Sequence, residues 1–276
     1  MRIAYFPVDP DLASARYRQA LPGAELARLG YAVVDIPDAA EVGIFTKHEW
    51  NEALLDRYPH TIFDICDDHF GDKRGDFYRR VCTRAGAITC NSEAMRFRIF
   101  QETRRVATVI PDPYELDEVA PSWGEGLLWF GHHRNLEELH REMPELRDHR
   151  ITVVTGGGLP RTVPWSKENL LRELAACAVV ILPTGRSPCK SANRLIEATR
   201  RGKHVVANPL PAYEPFAPDV FIGSIREGVD RAHRIREDLF PSIRSAQARV
   251  AREFSPALIA QQWREVIGEL TRGKIP

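Results

Sequence analysis

Short apolar runs punctuate the chain at intervals: IAYF (3–6), AVVDI (32–36), VGIF (42–45), TIFDI (61–65), AITC (87–90) and ATVI (107–110). A second series follows, with LLWF (127–130), ITVVT (151–155), VVILP (179–183), HVVA (204–207) and DVFIG (219–223). The runs are rich in Val, Ile and Phe and do not alternate apolar with polar, as strands covered on both faces require. Between several of them the apolar positions recur at helical spacing, in RYRQALPGAELARLG, NEALLDRY, SEAMRFRIFQET, NLEELHREM and KENLLRELAAC. Strand alternating with helix predicts an α/β fold of doubly wound parallel sheets.

The two series are separated by PDPYELDEVAPSWGEG, which holds three prolines, two glycines and a string of acids. That composition suits an exposed linker. The boundary therefore falls near 112–124, giving a domain over 1–118 and a second over 119–276, each Rossmann-like. From Arg226 the chain reads as mostly helical to the end, and WREVIGEL (263–270) is an amphipathic last helix expected to pack back across the junction. Two such domains place their binding surfaces at the carboxyl ends of the strands, on a cleft between them.

Composition narrows the partners. Lys plus Arg equals Asp plus Glu at 38 each, so the chain lacks the basic excess from which nucleic-acid binders draw their affinity. The apolar run AACAVVILP (175–183) falls far short of the ~20 residues of a membrane span. The N-terminus has no secretory leader pattern. Five widely spaced cysteines with no CxxC pair suggest neither a disulfide framework nor a zinc site, and a reducing cytoplasm is expected.

The polar residues cluster after predicted strands. In VVILPTGRSPCKSANRLIEATRRGKHVVA, Thr184 to Cys189 read as a loop and Lys190 or Ser191 as the helix start, with Gly202 at a left-handed C-terminal cap. Lys190, Asn193, Arg194, Glu197 and Arg201 share one helix face. A cation at a helix start suits a phosphate, and Glu197 lies about 9 Å further along, near the distance from a diphosphate to its ribose. On spacing alone the same residues also read as an ordinary solvated face.

GHHRN follows a strand; Gly131 permits close backbone approach, and His132, His133, Arg134 and Asn135 can donate to phosphate or sugar, or Asn135 can simply cap the next helix. No third ligand accompanies the paired histidines, so no metal is assigned. The glycines 156–158, with Gly156 first after the strand, suit a flexible turn beside a nucleotide, and Trp165 is placed to stack on a base or to lie at a core rim. In DICDDH, Asp67, Asp68 and His69 can bind hydroxyls or supply a general base, or the aspartates can cap a helix. Ser14, Arg16 and Arg18, with Lys47 and His48 after VGIF, suit an anionic acceptor or a solvated surface. Arg231, Arg234, Arg236, Arg244, Arg249 and Arg252 make a basic helical stretch, which reads as salt-bridged surface or as a peripheral membrane contact.

The string K-S-x-N-R-L-I-E-A, followed by G-K-x-V-V-A and P-A-Y, resembles the donor-site segment of GT-B glycosyltransferases, in particular the retaining, family 4-like "glycosyl transferases group 1" type. ASARYRQALPGAELARLGYAVV, FDICDDHF, AITCNSEAM, VIPDPYE and LLWFGHHRN extend the resemblance over most of the chain. It implies two Rossmann-like domains facing a cleft, an N-terminal one for the acceptor and a C-terminal one for the donor. It also implies transfer of a sugar from a nucleoside diphosphate sugar to a glycan, lipid-linked or other hydroxyl acceptor, with no metal or other cofactor, at the inner face of the membrane or free in the cytoplasm. Glu197 would bind the ribose hydroxyls. Lys190 and Arg194 would stabilise the diphosphate, and Gly131, His132, His133, Asn135, Gly156, Thr184, Ser191 and Asn193 would complete the donor site. One departure stands out: many retaining members carry Glu-x7-Glu, and here Cys189 takes the first position. A protein that binds a nucleotide or glycan without turnover is the alternative.

Overall fold

The computed structural model describes residues 1–6, 8–10, 12–34, 40–46, 50–185 and 187–274, and of Glu237 the backbone alone. The chain divides into two compact units: residues 1–115, 188–191 and 254–276 form the first, and 116–187 with 192–253 form the second.

In the first unit six parallel strands, β1 (Arg2–Tyr5), β2 (Ala32–Val34), β3 (Val42–Thr46), β4 (His60–Ile65), β5 (Ala87–Cys90) and β6 (Thr108–Val109), lie in the order β2-β1-β3-β4-β5-β6. Successive side chains point to opposite faces, which sorts the apolar runs into two layers. Ile3, Val42, Ile44 and Ile62 meet Leu26 of α2 (Leu21–Arg28) and the buried stripe of a C-terminal helix, Ile259, Trp263 and Ile267. Phe45, Phe63, Ile65 and Ile88 meet α3 (Gly75–Arg84) through Phe77, Tyr78 and Val81, and α4 (Glu93–Thr103) through Met95 and Ile99.

The helix after β1 starts as α1 (Ala13–Ala15), widens to a π-turn over Arg16–Ala20 and continues as α2. Pro22 explains the widening. It has no N–H to donate, and its ring crowds the carbonyl four residues back, that of Arg18. The N–H of Leu21 reaches back five residues to the carbonyl of Arg16 instead.

The second unit repeats the plan with β7 (Leu127–Phe130), β8 (Ile151–Thr155), β9 (Val163–Pro164), β10 (Val179–Leu182), β11 (His204–Ala207) and β12 (Phe221–Ile222), all parallel, in the order β12-β11-β10-β7-β8-β9. Helices α5 (Leu136–Glu142), α6 (Lys167–Ala176), α7 (Asn193–Arg200), α8 (Ile225–Arg234) and α9 (Leu239–Glu253) surround it. This is the dinucleotide-binding strand order. The order reverses between β7 and β10, and a ligand is expected beyond the carboxyl ends of those two strands. The first unit reverses between β1 and β3.

Three expectations need correction. NEALLDRY folds as a 3₁₀ helix, Glu52–Arg57, not an α-helix. The first unit ends at Glu115 rather than residue 118, and the last helix, α10 (Pro256–Thr271), belongs to it and not to the second domain. The reason is packing: Trp263, Ile259 and Ile267 are fully buried in the core shared with α2. Third, β9 was not anticipated, because a two-residue strand ending in proline carries no periodic signal.

Candidate functional site

In the second unit the polar residues gather where the strand order reverses. Gly131 directly follows β7, and a Cβ there would stand 3.3 Å from the Arg194 guanidinium and 3.2 Å from the Trp129 ring. Glycine at this point lets the arginine lie against the strand end. Arg194 donates to the carbonyl of Phe130 at 3.4 Å, sits 5.9 Å from the Trp129 ring centroid and pairs with Glu138 at 3.9 Å. Tyr213, 1% exposed, hydrogen-bonds the same arginine; burial raises its phenol, which Arg194 opposes and Glu138 reinforces. The guanidinium is therefore a largely buried cation held at the strand reversal.

Helix α7 starts at Asn193, so Lys190 and Ser191 precede it rather than open it. The Asn193 side chain accepts from the N–H of Arg194 at 2.7 Å. Glu197 is not on a solvated face: it is 2% exposed, and its carboxylate accepts from the Leu116 N–H at 3.0 Å. Every residue from 195 to 200 is buried, because α7 packs on β10 and β11 and is covered by α9. Gly202 has φ +68°, as a left-handed cap requires.

The other loops at this strand edge are tied to one another. His132 and His133 are exposed with ring centroids 4.1 Å apart, and His132 Nδ1 accepts from the Arg134 N–H at 3.3 Å. Capping thus falls to His132, while Asn135 sits at the start of α5 without a side-chain capping bond. Gly156 is half-buried, and a Cβ on the next residue, Gly157, would touch the His133 ring at 3.4 Å, so the two loops adjoin. Thr184 is fixed from both ends, its N–H by Asn208 Oδ1 at 3.1 Å and its hydroxyl by the carbonyl of Pro209 at 3.4 Å. Trp165 is 37% exposed after β9's turn.

In the first unit, residues 188–191 are anchored to the sheet and α4. Ser92 donates to the carbonyl of Cys189 at 3.5 Å, and Ser191 hydrogen-bonds Asp112. Cys189 is 3% exposed, its thiol 4.0 Å from an Asp68 oxygen; burial and the Asp68 charge push it up to about 11. The position thus holds a protonated thiol. Lys190 is half-buried in this unit.

Asp67, Asp68 and His69 follow β4, at the carboxyl edge of the sheet. Asp68 accepts from the Phe70 N–H at 3.1 Å and pairs with Arg98 at 3.4 Å. His69 Nδ1 lies 2.8 Å from Asp72, and its Nε2 lies 3.3 Å from an Arg74 nitrogen. Because arginine can only donate, Nε2 is the acceptor and Nδ1 carries the proton toward Asp72. Asp67 is half-buried at the same turn.

Arg16 pairs with Glu115 at 2.9 Å, and the buried hydroxyl of Ser14 has no hydrogen-bond partner among the described residues. Lys47 and His48 lie outside the described residues. Arg18 is 1% exposed and donates to Asp64 at 2.9 and 2.6 Å, to Asp112 at 3.2 Å and to the Ile110 carbonyl at 2.5 Å. It is a structural clasp within the unit rather than a surface cation.

No protein-family model matches the sequence, and no curated protein matches it. Solved structures do. Over 98% of this chain and 100% of the other, the backbone superposes on Anabaena Alr3699/HepE, crystallised with UDP and glucose, at TM-score 0.78 and 14% identity. The fold is GT-B. An alpha-glucosyltransferase in complex with UDP and a 13-mer DNA matches over 98% of this chain and 99% of that one, at TM-score 0.67 and 9% identity. Staphylococcus aureus TarM, with fondaparinux, alpha-GlcNAc-glycerol and UDP, matches 81% of this chain and 54% of its own at TM-score 0.56 and 13% identity. At these identities the likeness shows the fold alone, and the strand order of each unit is by itself that of a doubly wound parallel sheet.

Sequence reasoning missed Glu138 and Asn208 and gave Tyr213 no role beyond its place in the P-A-Y string; the three hold the loops at the strand reversal. Glu138 sits among Leu136 and Leu139 on α5, where a buried acid leaves no periodic trace. Among the described residues no cluster of three metal-ligating side chains occurs, and no helix is long and apolar enough to cross a membrane. Arg249 and Arg252 of the basic stretch pair with Asp219 and Glu253.

Proposed function

We propose that this chain is a glycosyltransferase that takes a sugar from a nucleoside diphosphate sugar, a uridine nucleotide being the first to test, and delivers it to a hydroxyl of a glycan or related acceptor. The observation that carries the reading is Arg194, a largely buried cation held at the β7–β10 reversal of a dinucleotide-type sheet. The bond from the anomeric carbon to the β-phosphate oxygen breaks, and its electron pair leaves on the diphosphate. The acceptor oxygen forms the new bond, and its proton passes to the departing phosphate or to a carboxylate. A preorganised guanidinium stabilises the charge that builds on the leaving group without reorganising. Glu197, rigidly placed by the Leu116 N–H, takes the ribose hydroxyls. The cation supplies what a metal would otherwise give, so the reaction is read as metal-independent. Five free cysteines support a reducing, cytoplasmic setting, with assembly of a polysaccharide or lipid-linked glycan as the context.

The test is calorimetric titration with UDP, GDP and their sugars, followed by assay of nucleotide release with and without acceptors. Glu197→Gln should weaken nucleotide binding more than tenfold while keeping the Leu116 bond, and Lys190→Ala tests the cation expected from the sequence. Absence of any nucleotide binding would sink the reading. A second reading, binding without turnover, is favoured by the protonated, buried thiol at Cys189; binding with no sugar transfer or hydrolysis would select it.

A further inference from the structure

Glu138 is 8% exposed on α5, and its Oε2 lies 3.9 Å from a terminal nitrogen of Arg194. Its other oxygen fills the space above Gly185, just beyond β10: a Cβ on that glycine would stand 2.3 Å from Oε1. Gly185 itself has no side chain where the carboxylate rests. A committed arginine–carboxylate pair closes to about 2.7–2.9 Å, usually through two parallel bonds, and Arg18–Asp64 in the first unit does so at 2.6 and 2.9 Å. Arg194 instead keeps a long ion pair and a 3.4 Å bond to the Phe130 carbonyl. The largely buried charge is balanced, yet among the described residues no short carboxylate bond consumes its donors, and Tyr213 is its other hydrogen-bond partner.

We propose that Glu138 is a resident counter-ion for Arg194: a positioning residue that holds the guanidinium at the strand reversal and competes with a diphosphate for it. This rests on the reading that Arg194 meets the donor diphosphate. Two consequences follow from charge alone. The empty site avoids an uncompensated buried cation, which would be costly. A fixed negative charge close to the leaving group weakens the hold on the nucleoside diphosphate product, so release is eased while the arginine stays in place.

The test uses the full chain and compares the dissociation constants of UDP and of uridine by calorimetry. Glu138→Gln keeps the shape and removes the charge. It is expected to tighten UDP on the order of tenfold, as a single nearby charge in a partly screened site would, while leaving uridine unchanged. The gain should shrink in 0.5 M salt and vanish when Arg194→Met is added. Glu138→Asp, which keeps the charge, should stay within about twofold of the parent. With saturating acceptor, Glu138→Gln should lower kcat and KM together, since product departs more slowly. UDP binding that is unchanged or weaker in Glu138→Gln would overturn the proposal. So would a Glu138→Gln chain that fails to fold while Glu138→Asp folds, since the carboxylate would then serve stability alone. If the parent binds uridine but Arg194→Met leaves UDP affinity intact, the counter-ion role falls and the glycosyltransferase reading stands; if the parent binds no nucleotide, both fall.

Discussion

Replacing Arg18 by methionine keeps the volume and removes the cation, leaving Asp64 at 0% exposure and Asp112 at 5% with no positive charge between them. Four hydrogen bonds go: two to Asp64, one to Asp112 and one to the Ile110 carbonyl. Breaking a buried pair by deleting one partner costs about 3–5 kcal/mol, because the survivors stay desolvated. Asp64 retains the Thr89 hydroxyl at 2.8 Å and Asp112 retains Ser191, so the lower end is expected. Native-state hydrogen exchange reads the loss locally. At 1.4 kcal/mol per decade, protection of the slowest amides in β3, β4 and β5 should fall by roughly two decades, while β7, β10 and β11 in the other unit stay unchanged. The deficit should narrow between pH 7.5 and pH 5. An unpaired buried carboxylate has its folded pKa raised, so the variant gains stability as protons bind. A loss of less than tenfold in β4, or an equal loss in β7, would refute the clasp.

Burial, reinforced by the charge of Arg231, lowers His204 from 6.5 to about 4. The unfolded chain then binds the extra proton, so this stability is present above pH 6.5 and drains as pH falls toward 4. The arithmetic gives about 2 kcal/mol lost at pH 5 relative to pH 8, and urea titrations of His204→Phe should lack that component of the slope. Gly202→Ala should cost more than about 1 kcal/mol by thermal unfolding, since φ is +68° and the added Cβ would stand 2.6 Å from the Ala120 carbonyl; a neutral result would contradict the cap. Of the five free cysteines only Cys66 is partly exposed. Alkylation of native protein at pH 8 should therefore label one thiol rapidly and all five after denaturation. Rapid native labelling of Cys189 would show that its position is open to solvent.

The central parallel strands were legible because β3, β4, β5, β7, β10 and β11 are short runs buried on both faces, and β4 and β7 sit where TIFDI and LLWF stand. Gly202 was legible because a helix that ends and turns into a strand favours a positive φ at its cap, which glycine adopts without a steric penalty. The turn chemistry was less so: His132 rather than Asn135 supplies the capping acceptor before α5. Helix α7 begins two or three residues later than expected, since residues 188–191 are held by Ser92 and Asp112 in the first unit.

What the sequence determined by itself is local and periodic: which runs are strands, which stretches are amphipathic, and that polar loops follow strand ends. Tertiary structure alone decided which charges are spent. Arg18 looks like any arginine on a helix until Asp64 and Asp112, 46 and 94 residues away, close on it. Glu197 and Arg194 look solvated until α9, Leu116, Tyr213 and Glu138 surround them. The physical reason is that helix and strand patterning depends on neighbours a few residues apart. Burial of a charge depends on partners that only the folded topology brings within 4 Å.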